Sequence, residues 1–346
     1  MSVDRSDRKQ WAGEHFRGLE NVLMPSFSAD LSELDEEAIR LDVRQSVRHG
    51  FFSTLCSVES GLSLEEKKRF IVVAADEAGG DISVGFSLTG DSLEENVELL
   101  GAAETAGASH ALVSFPQSFV ARSQDDVYEF VAALSESTNL GIYLFISDKF
   151  GFGHLHPSGV PFEAYDRAAD LPNVIAMKVG GMDAGMIFEC FERFGDRLLV
   201  GSVNLGLQPL LVEIYGARWS GAWTVEALQS PEKPYAVDFF SHLLEGRPDE
   251  AMEIYWRLSP ALGVMMRLMA PLVMTGTYHW PQLKYFQYLT GGNGGFTRSP
   301  VMRLYDRDMQ AIRMGYRAIG IEPQGSDEDF FLGRTVSERR ATAVGS

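Results

Sequence analysis

The sequence is poor in cysteine and in long apolar runs. Its 346 residues include only Cys56 and Cys190, too few for a disulfide framework and typical of a reducing compartment. The N-terminal segment has no apolar run of the kind that forms a signal peptide. The longest apolar stretch, residues 260–274, contains Arg267 and is too short to cross a bilayer. We therefore expect a cytoplasmic protein with no membrane partner.

Basic residues are scarce relative to acidic ones. The chain has 30 lysines and arginines against 48 aspartates and glutamates, a formal net charge of −18. A surface with this charge repels phosphate backbones, so we expect no nucleic-acid partner. An anionic substrate would need lysine, arginine or backbone N–H groups placed close to it.

No glycine-rich dinucleotide-binding fingerprint follows the first predicted strand, which argues against an open nucleotide-binding sheet. Short apolar runs instead alternate with amphipathic helical patterns. Strict alternation of strands and helices implies a parallel sheet, and eight repeats favour closure into an α/β fold of the (β/α)8 TIM barrel type. The eight predicted strands are 21–24, 51–57, 82–88, 111–115, 140–146, 173–179, 198–200 and 219–223.

After residue 230 the predicted strands stop and helical patterns continue, which indicates an additional C-terminal helical layer. Helices are predicted at 235–244, 249–268, 280–289 and 301–319. The two ends of the chain are polar, and polar termini are usually mobile. The predicted division is a flexible N-terminal tail (1–15), a catalytic barrel (16–230), a C-terminal helical region (231–322) and a flexible tail (323–346).

Lys178 lies near the end of the apolar run 173–179, which glycine terminates. Such a run is typical of a strand buried on both faces, and alternation places Val174, Ala176 and Lys178 on one face. The C-terminal ends of barrel strands carry the active site. A buried lysine is partly a free amine, which attacks carbonyl groups to give a Schiff base. The alternative is a lysine that extends from the strand end into solvent.

The order of several motifs resembles the dihydrodipicolinate synthase/N-acetylneuraminate lyase family of class I aldolases, with this chain as a divergent member. Residues 176–178 (Ala-Met-Lys) are similar to the family's Gly-Ile-Lys-like element on the sixth strand. Residues 25–27 (Pro-Ser-Phe) are similar to its Thr-Pro-Phe turn. The resemblance covers roughly residues 18–320; the other similar segments are 216–223, 245–258 and 294–301.

The resemblance implies a Schiff base between Lys178 and a 2-oxo acid, usually pyruvate, next to which a bond is made or broken. It also implies a fifth-strand tyrosine that transfers protons to and from the carbinolamine. Tyr143 is the candidate for that tyrosine. Phe145 lies on the same strand face, and a shifted alignment would put Phe145 at the tyrosine position. Neither a metal nor an organic cofactor is required.

The family binds the pyruvyl carboxylate through a Gly-Thr-Thr-Gly-Glu element after the second strand. The matching stretch here supplies Cys56, Ser57, Val58 and Glu59 as candidate substrate-binding residues. Only the glutamate is retained, Cys56 and Ser57 stand in place of the two threonines, and both glycines are replaced. A nucleophilic role for Cys56 is the weaker interpretation, because a buried cysteine usually acts as a small apolar residue.

The second substrate is predicted from departures from the family pattern. Residues 144–149 lack the arginine that grips a second carboxylate in the synthase branch, and the loop 148–159 contains Phe150 and Phe152. A long aromatic loop above the site favours a bulky or aromatic aldehyde-type substrate, hence a hydratase-aldolase or lyase. The family usually forms tetramers, but residues 117–118 lack its interface tyrosine pair. We therefore expect a homo-oligomer, either tetramer or dimer.

Three alternatives stay open at this point. The chain could be a dihydrodipicolinate synthase proper. It could be a metal-dependent barrel enzyme that uses His154 and His156, since two loop histidines with a carboxylate can bind a metal. It could also be a non-catalytic barrel that binds a 2-oxo acid.

Overall fold

The structure is a computed structural model that describes residues 3–58, 61–221, 225–274, 279–299, 301 and 303–344. Within them eight strands form one parallel sheet, in which the first strand pairs with the second and the eighth, and the others follow in chain order to the seventh. The strands are β1 (Gly18–Leu23), β2 (Ser53–Cys56), β3 (Ser83–Ser87), β4 (His110–Leu112), β5 (Gly141–Ile146), β6 (Val174–Val179), β7 (Leu199–Ser202) and β8 (Trp219–Ser220).

The gap between β7 and β8 is bridged by two side-chain hydrogen bonds. Ser220 Oγ donates to the carbonyl of Ser202 at 2.7 Å, and Trp219 Nε1 donates to the carbonyl of Leu199 at 2.8 Å. The sheet therefore nearly closes on itself, and the predicted (β/α)8 barrel is confirmed.

Helices connect the strands and continue beyond them. They are α1 (Arg8–His15), α2 (Glu36–Arg48), α3 (Leu64–Ala78), α4 (Leu93–Ala106), α5 (Gln124–Glu136), α6 (Phe162–Ala168), α7 (Ala184–Phe194), α8 (Gln208–Tyr215), α9 (Tyr235–Leu244), α10 (Pro248–Met274), α11 (Trp280–Leu289), α12 (Asp306–Ala318), α13 (Asp327–Leu332) and α14 (Arg334–Val344). Many begin at a side chain that accepts from a free backbone N–H of the first turn. In the barrel these caps are Asp35, Ser63, Ser92, Ser123 and Asp183.

Helix α1 and Phe16 cover the N-terminal end of the barrel. Ala12 and Phe16 are fully buried. The Phe16 ring lies 5.3 Å from Phe52, 4.8 Å from His110 and 5.4 Å from Trp219, measured between ring centroids. These three residues lie at or next to the first residues of β2, β4 and β8. Residues 8–15, predicted to belong to a flexible tail, therefore form a helix that is tied to the barrel. Ala12 is buried, and the side chains of Arg5, Arg8 and Lys9 donate hydrogen bonds to residues of the barrel.

The C-terminal helices α9 to α12 form the predicted additional layer. Gln287 on α11 donates from Nε2 to the carbonyl of Val22 at 2.7 Å, which ties the layer to β1. The segment after residue 323, predicted to be a flexible tail, contains α13 and α14. Phe330 is buried there, and the Arg339 guanidinium pairs with Asp35 at 2.5 Å. No helix in the described ranges combines the length and apolar character needed to span a membrane.

Candidate active site

Lys178 lies on β6 with its side chain inside the barrel. It is 4% exposed. A Cβ built on Gly221, just after β8, would lie 3.1 Å from both Cε and Nζ of Lys178. Because β7 separates β6 from β8 in the sheet, this contact crosses the barrel interior. The amine is therefore directed inward, as the sequence predicted, and does not extend into bulk solvent.

Val174, Ala176 and Lys178 were predicted to lie on one face of the strand. This prediction is correct for Ala176 and wrong for Val174. Ala176 packs in the inner cluster with Tyr143 and Trp219, whereas Val174 packs in the core between the sheet and the helices. The pairing of β5 with β6 shifts register between Ile142 and Tyr143. This irregularity interrupts the simple alternation of faces at the start of β6.

Phe145, and not Tyr143, is the cross-strand neighbour of Lys178. In the β5–β6 ladder Phe145 pairs with Lys178, and Tyr143 pairs with Ala176 one step nearer the N-terminal end. The Lys178 Nζ lies 5.8 Å from the centroid of the Phe145 ring, within the range of a cation–π contact. The structure therefore does not place a phenol in the strand position beside the lysine.

Tyr143 instead belongs to a buried polar cluster around Glu20. The phenol donates to Glu20 Oε1 at 3.0 Å, while His110 Nε2 lies 2.9 Å and Ser53 Oγ 3.1 Å from Glu20 Oε2. Glu20, Ser53, His110 and Tyr143 are at most 1% exposed. Burial and the neighbouring Glu20 carboxylate raise the pKa of Tyr143 well above its usual value, so the phenol keeps its proton.

The cluster around Glu20 was not predicted from the sequence. Glu20 immediately precedes the predicted first strand, and His110 immediately precedes the predicted fourth strand. The structure extends both strands to include these residues. The sequence signal that could have revealed the cluster is Glu20 itself. It lies two positions before Val22, so it is a charged residue on the same face of a predicted buried strand.

The stretch predicted to bind the carboxylate is divided between two sides of the sheet. Cys56 and Val58 are fully buried in the core between sheet and helices, and burial strongly raises the pKa of the Cys56 thiol. Ser57 lies two residues after Leu55 and therefore on the same strand face. Leu55 packs inside the barrel with Tyr143 and Trp219. The Ser57 N–H donates to the carbonyl of Leu23 at 2.9 Å, which continues the parallel ladder. Glu59 lies outside the described residues.

Ser87 at the end of β3 is a further hydroxyl near Ser57. Cys56 pairs with Phe86, so Ser57 and Ser87 are the next residues along the two strands. A Cβ on Gly85 would meet the His110 ring inside the barrel, which places Ser87 on the inner face by parity. Ser87 is 3% exposed, and its hydroxyl has no hydrogen-bond partner among the described residues.

A phenylalanine cluster adjoins the lysine on the β4–β5 side. Its rings pack with centroid separations of 5.0 to 5.9 Å and comprise Phe115, Phe119, Phe130, Phe145, Phe150 and Phe152. Phe145 and Phe150 are only partly buried. The Lys149 ammonium lies 5.3 Å from the Phe145 centroid and 5.5 Å from that of Phe150. The cluster forms an apolar wall, with the Lys149 ammonium at its outer edge and the Lys178 ammonium on its barrel side.

His154 and His156 have local structural contacts. The two ring nitrogens of His154 face the carbonyl oxygens of Gly151 and Ala121 at 3.0 and 2.7 Å. His156 Nδ1 lies 2.7 Å from Ser158 Oγ. Over the described ranges, no group of three or more His, Cys, Asp or Glu residues is arranged to hold a metal ion. These contacts stabilise the loop. Both ring nitrogens of His154 face carbonyl oxygens, so neither is directed at a metal ion that His156 could share.

A second buried lysine, Lys284 on α11, was not singled out in the sequence. It is 1% exposed, and its Nζ donates to the Pro25 carbonyl at 2.9 Å and to Ser26 Oγ at 2.7 Å. Burial lowers the pKa of Lys284 to about 8, against the opposing charges of Asp42 and Asp35. Its two acceptors tie α11 to the turn after β1, which is a structural role.

Comparison with known proteins agrees with this architecture. The chain matches the model of the dihydrodipicolinate synthetase family over residues 15–312. A 4-hydroxy-tetrahydrodipicolinate synthase of Methanothrix thermoacetophila is 24% identical over 305 residues, which covers 86% of this chain and 95% of the relative.

Two solved structures are similar in fold. Dihydrodipicolinate synthase from Aquifex aeolicus has a TM-score of 0.73 at 21% identity, covering 90% of this chain and 100% of that one. N-acetylneuraminate lyase from Fusobacterium nucleatum has a TM-score of 0.70 at 16% identity, covering 88% and 99%. With the family model matched over most of its length, this chain belongs to the dihydrodipicolinate synthetase family, whose members are lyases and aldolases.

Proposed function

We propose that the protein is a lyase or aldolase that forms a Schiff base between Lys178 and a 2-oxo acid such as pyruvate. The observation that carries this proposal is a buried lysine near the carboxyl end of the sixth strand, with its amine inside the barrel. Active sites of β/α barrels lie at that end of the strands. A desolvated amine is a nucleophile towards carbonyl carbon.

The proposed reaction begins when the free amine of Lys178 attacks C2 of the 2-oxo acid. A carbon–nitrogen bond forms, the carbonyl oxygen takes the π electron pair, and a proton passes from the nitrogen to that oxygen to give the neutral carbinolamine. Protonation of that hydroxyl releases water, and the nitrogen lone pair forms the iminium ion. The iminium withdraws electrons, so C3 of the acid can lose a proton to give an enamine. The enamine C3 then bonds to the aldehyde carbon, whose oxygen takes the π electron pair and a proton, and the reverse steps break the same carbon–carbon bond.

The hydroxyls of Ser57 and Ser87 are the proposed contacts of the substrate carboxylate. Ser57 and Ser87 lie side by side at the ends of the neighbouring strands β2 and β3, on the inner face. The Ser87 hydroxyl has no hydrogen-bond partner among the described residues. A carboxylate oxygen accepts hydrogen bonds from such hydroxyls. Of the predicted loop, Ser57 keeps this role in the proposal, and Cys56 and Val58 support it by packing behind the sheet.

The phenylalanine cluster favours an aromatic or otherwise apolar aldehyde as second substrate. Phe145 presents a partly buried ring directly beside Lys178, and Phe150 extends that surface. Aromatic rings prefer offset or edge-to-face contacts with other aromatic groups. Residues 144–149 contain no arginine for a second carboxylate. The chain is accordingly proposed as an aldolase or hydratase-aldolase rather than a dihydrodipicolinate synthase proper.

Trapping with borohydride tests the proposed Schiff base. Incubation with pyruvate and borohydride is expected to add one reduced pyruvyl group to the protein, because borohydride reduces an iminium to a stable secondary amine. Mass spectrometry of peptides should locate the adduct on Lys178. Lys284 serves as the internal control, since it is also buried and its Nζ donates to Pro25 and Ser26 away from the barrel interior.

An adduct on Lys284, or none on any lysine, would contradict the proposal. An adduct on Lys178 without turnover over a panel of aromatic and aliphatic aldehydes would instead favour a non-catalytic 2-oxo-acid-binding barrel. Faster turnover of aromatic aldehydes than of aliphatic ones is expected from the phenylalanine cluster.

Gly221→Ala is expected to lower turnover about tenfold with the fold retained. The new methyl group would lie 3.1 Å from Lys178 Cε and Nζ, so the amine must shift by a few tenths of an ångström. Larger misplacements, of about 1 Å, cost on the order of 10²-fold. Turnover and the rate of borohydride trapping measure the effect.

Gly101→Ala is the matched control for this substitution. Gly101 lies in α4, and a Cβ built there meets nothing within 4 Å apart from its chain neighbours and the backbone of its own helix. Alanine is also the better helix former. Equal effects of Gly221→Ala and Gly101→Ala would show that the contact with Lys178 does not matter for turnover.

A further inference from the structure

A carboxylate lies in the barrel interior, where an ionised group is costly unless it is well paired. Glu20 is 1% exposed, and its two oxygens accept from Tyr143, Ser53 and His110. Burying an isolated carboxylate in apolar surroundings costs several kcal/mol or more. A hydrophobic residue would fill a barrel layer without this cost. The cost of this burial implies that Glu20 and its partners have a function other than filling the barrel.

The local geometry places this carboxylate near the Lys178 amine. Ser220 pairs with Leu19, so Gly221 and Glu20 are the next residues along β8 and β1. The Lys178 Nζ lies against Gly221. The amine therefore reaches across the barrel to the part of the wall that carries Glu20.

The electrostatics of Glu20 agree with that geometry. Burial alone would raise the pKa of the Glu20 carboxyl. The hydrogen bond and charge of His110, the charge of Lys178 and the hydrogen bond from Tyr143 outweigh burial and lower it. The carboxyl is thus ionised, and the titratable groups that act on it are His110, Lys178 and Tyr143.

We propose that Glu20 is the buried counter-ion of Lys178, a positioning residue that holds the lysine amine toward the barrel axis and balances the positive charge of the Schiff base. Tyr143, His110 and Ser53 keep the carboxylate in place. The inference rests on the proposed function, because it assigns a role in the same Schiff-base chemistry. It gives Tyr143 a part in that chemistry through Glu20 rather than from the strand position beside the lysine.

The test is the pH dependence of borohydride trapping with pyruvate in the full-length Glu20→Gln variant. Trapping requires the free amine, so its rate rises as Lys178 loses a proton. Removing a nearby negative charge makes that proton easier to lose, and the midpoint of the rise is expected to move down by about one pH unit. The plateau rate is expected to fall about tenfold, because the iminium loses its counter-ion.

Two comparison variants separate charge from general damage to the interior. Glu98→Gln removes the same charge from the outer side of α4, where Glu98 is 57% exposed, and should leave midpoint and plateau unchanged. Tyr143→Phe keeps the carboxylate but removes one of its donors. The midpoint should then move up, by less than the Glu20→Gln shift, since the carboxylate charge is less compensated.

The outcomes are distinct. A lower plateau in Glu20→Gln with an unmoved midpoint overturns the counter-ion role, as does a downward shift in Tyr143→Phe. If Glu20→Gln does not fold, Tyr143→Phe is the remaining test. An upward shift of its midpoint supports the counter-ion role, and a downward shift or no shift overturns it. Failure of the wild-type protein to form any adduct on Lys178 refutes the proposed function itself and not merely the role of Glu20.

Discussion

Replacing Lys178 with methionine is expected to abolish Schiff-base formation and to lower turnover by on the order of 10⁴-fold or more, as losses of catalytic nucleophiles do. Methionine fills most of the volume of a lysine side chain and adapts to irregular apolar space. It supplies no nucleophile, so neither the carbinolamine nor the iminium can form. Glu20 keeps its hydrogen bonds to Tyr143 and His110 but loses the charge of Lys178, so the variant should fold with lower stability.

The measurement compares turnover and pyruvate-dependent borohydride labelling in Lys178→Met with those in Lys68→Met. The Lys68 ammonium bonds with Glu65 and Glu98 on the helices outside the sheet, far from the barrel interior. Lys68→Met should keep both activities. A cooperative thermal unfolding transition shows that each variant is folded. Turnover retained in Lys178→Met, or labelling transferred to Lys284, would remove Lys178 from the mechanism.

The position of Lys178 could be predicted because its signal is local. An apolar run, a terminal lysine and two glycines lie within a few residues, and the count of strands assigns the run to the sixth position of a barrel. The face of Val174 could not be predicted, since it depends on a register shift against β5. The alternation of apolar and polar residues along one strand does not specify how that strand is aligned with its neighbour.

Phe145 and Tyr143 show the same limit. They share a strand face, so alternation alone leaves both as candidates for the position beside the lysine. Only the ladder between β5 and β6 assigns that position to Phe145. The cluster around Glu20 is less predictable still, because its partners Tyr143 and His110 are separated from it by 123 and 90 residues in the chain.

The ends of the chain differ from expectation for a compositional reason. Residues 1–15 and 323–346 are polar on average, yet Ala12 in the first segment and Phe330 in the second are buried. Average polarity predicts solvent exposure of a segment, whereas helix packing requires only one apolar face. The described residues of both segments therefore contain helices (α1, α13 and α14) where flexible tails were predicted.

A second buried carboxyl, Glu226, gives the largest expected effect on stability. Its Oε1 accepts from Asn21 at 2.7 Å and from Gln287 at 3.1 Å. Its Oε2 is buried and has no partner among the described residues. Burial raises the pKa of Glu226 from 4.5 to about 7, with a smaller contribution from the charge of Asp42 and against the hydrogen bonds of Asn21 and Gln287.

The sign of the effect on stability follows from proton binding. Between about pH 4.5 and pH 7 the folded protein keeps a proton on Glu226 that the unfolded chain releases. The free energy of unfolding therefore falls as the pH rises through this window, by about 3 kcal/mol in total, since each pKa unit is worth about 1.4 kcal/mol. The contribution is fully present below the window and absent above it.

Glu226→Gln is expected to be more stable than the wild type at about pH 8, by up to about 3 kcal/mol, and equally stable at about pH 4.5. The amide oxygen still accepts from Asn21 and Gln287, and the side chain no longer ionises. Urea unfolding at several pH values gives the difference between the two proteins, in which the contributions of other carboxyl groups cancel. Glu232→Gln, at a residue 61% exposed, should differ from the wild type by less than about 0.5 kcal/mol at every pH. A Glu226→Gln difference that does not grow with pH would mean that the Glu226 carboxyl is already ionised in the folded protein at low pH, and that Asn21 and Gln287 compensate for its burial.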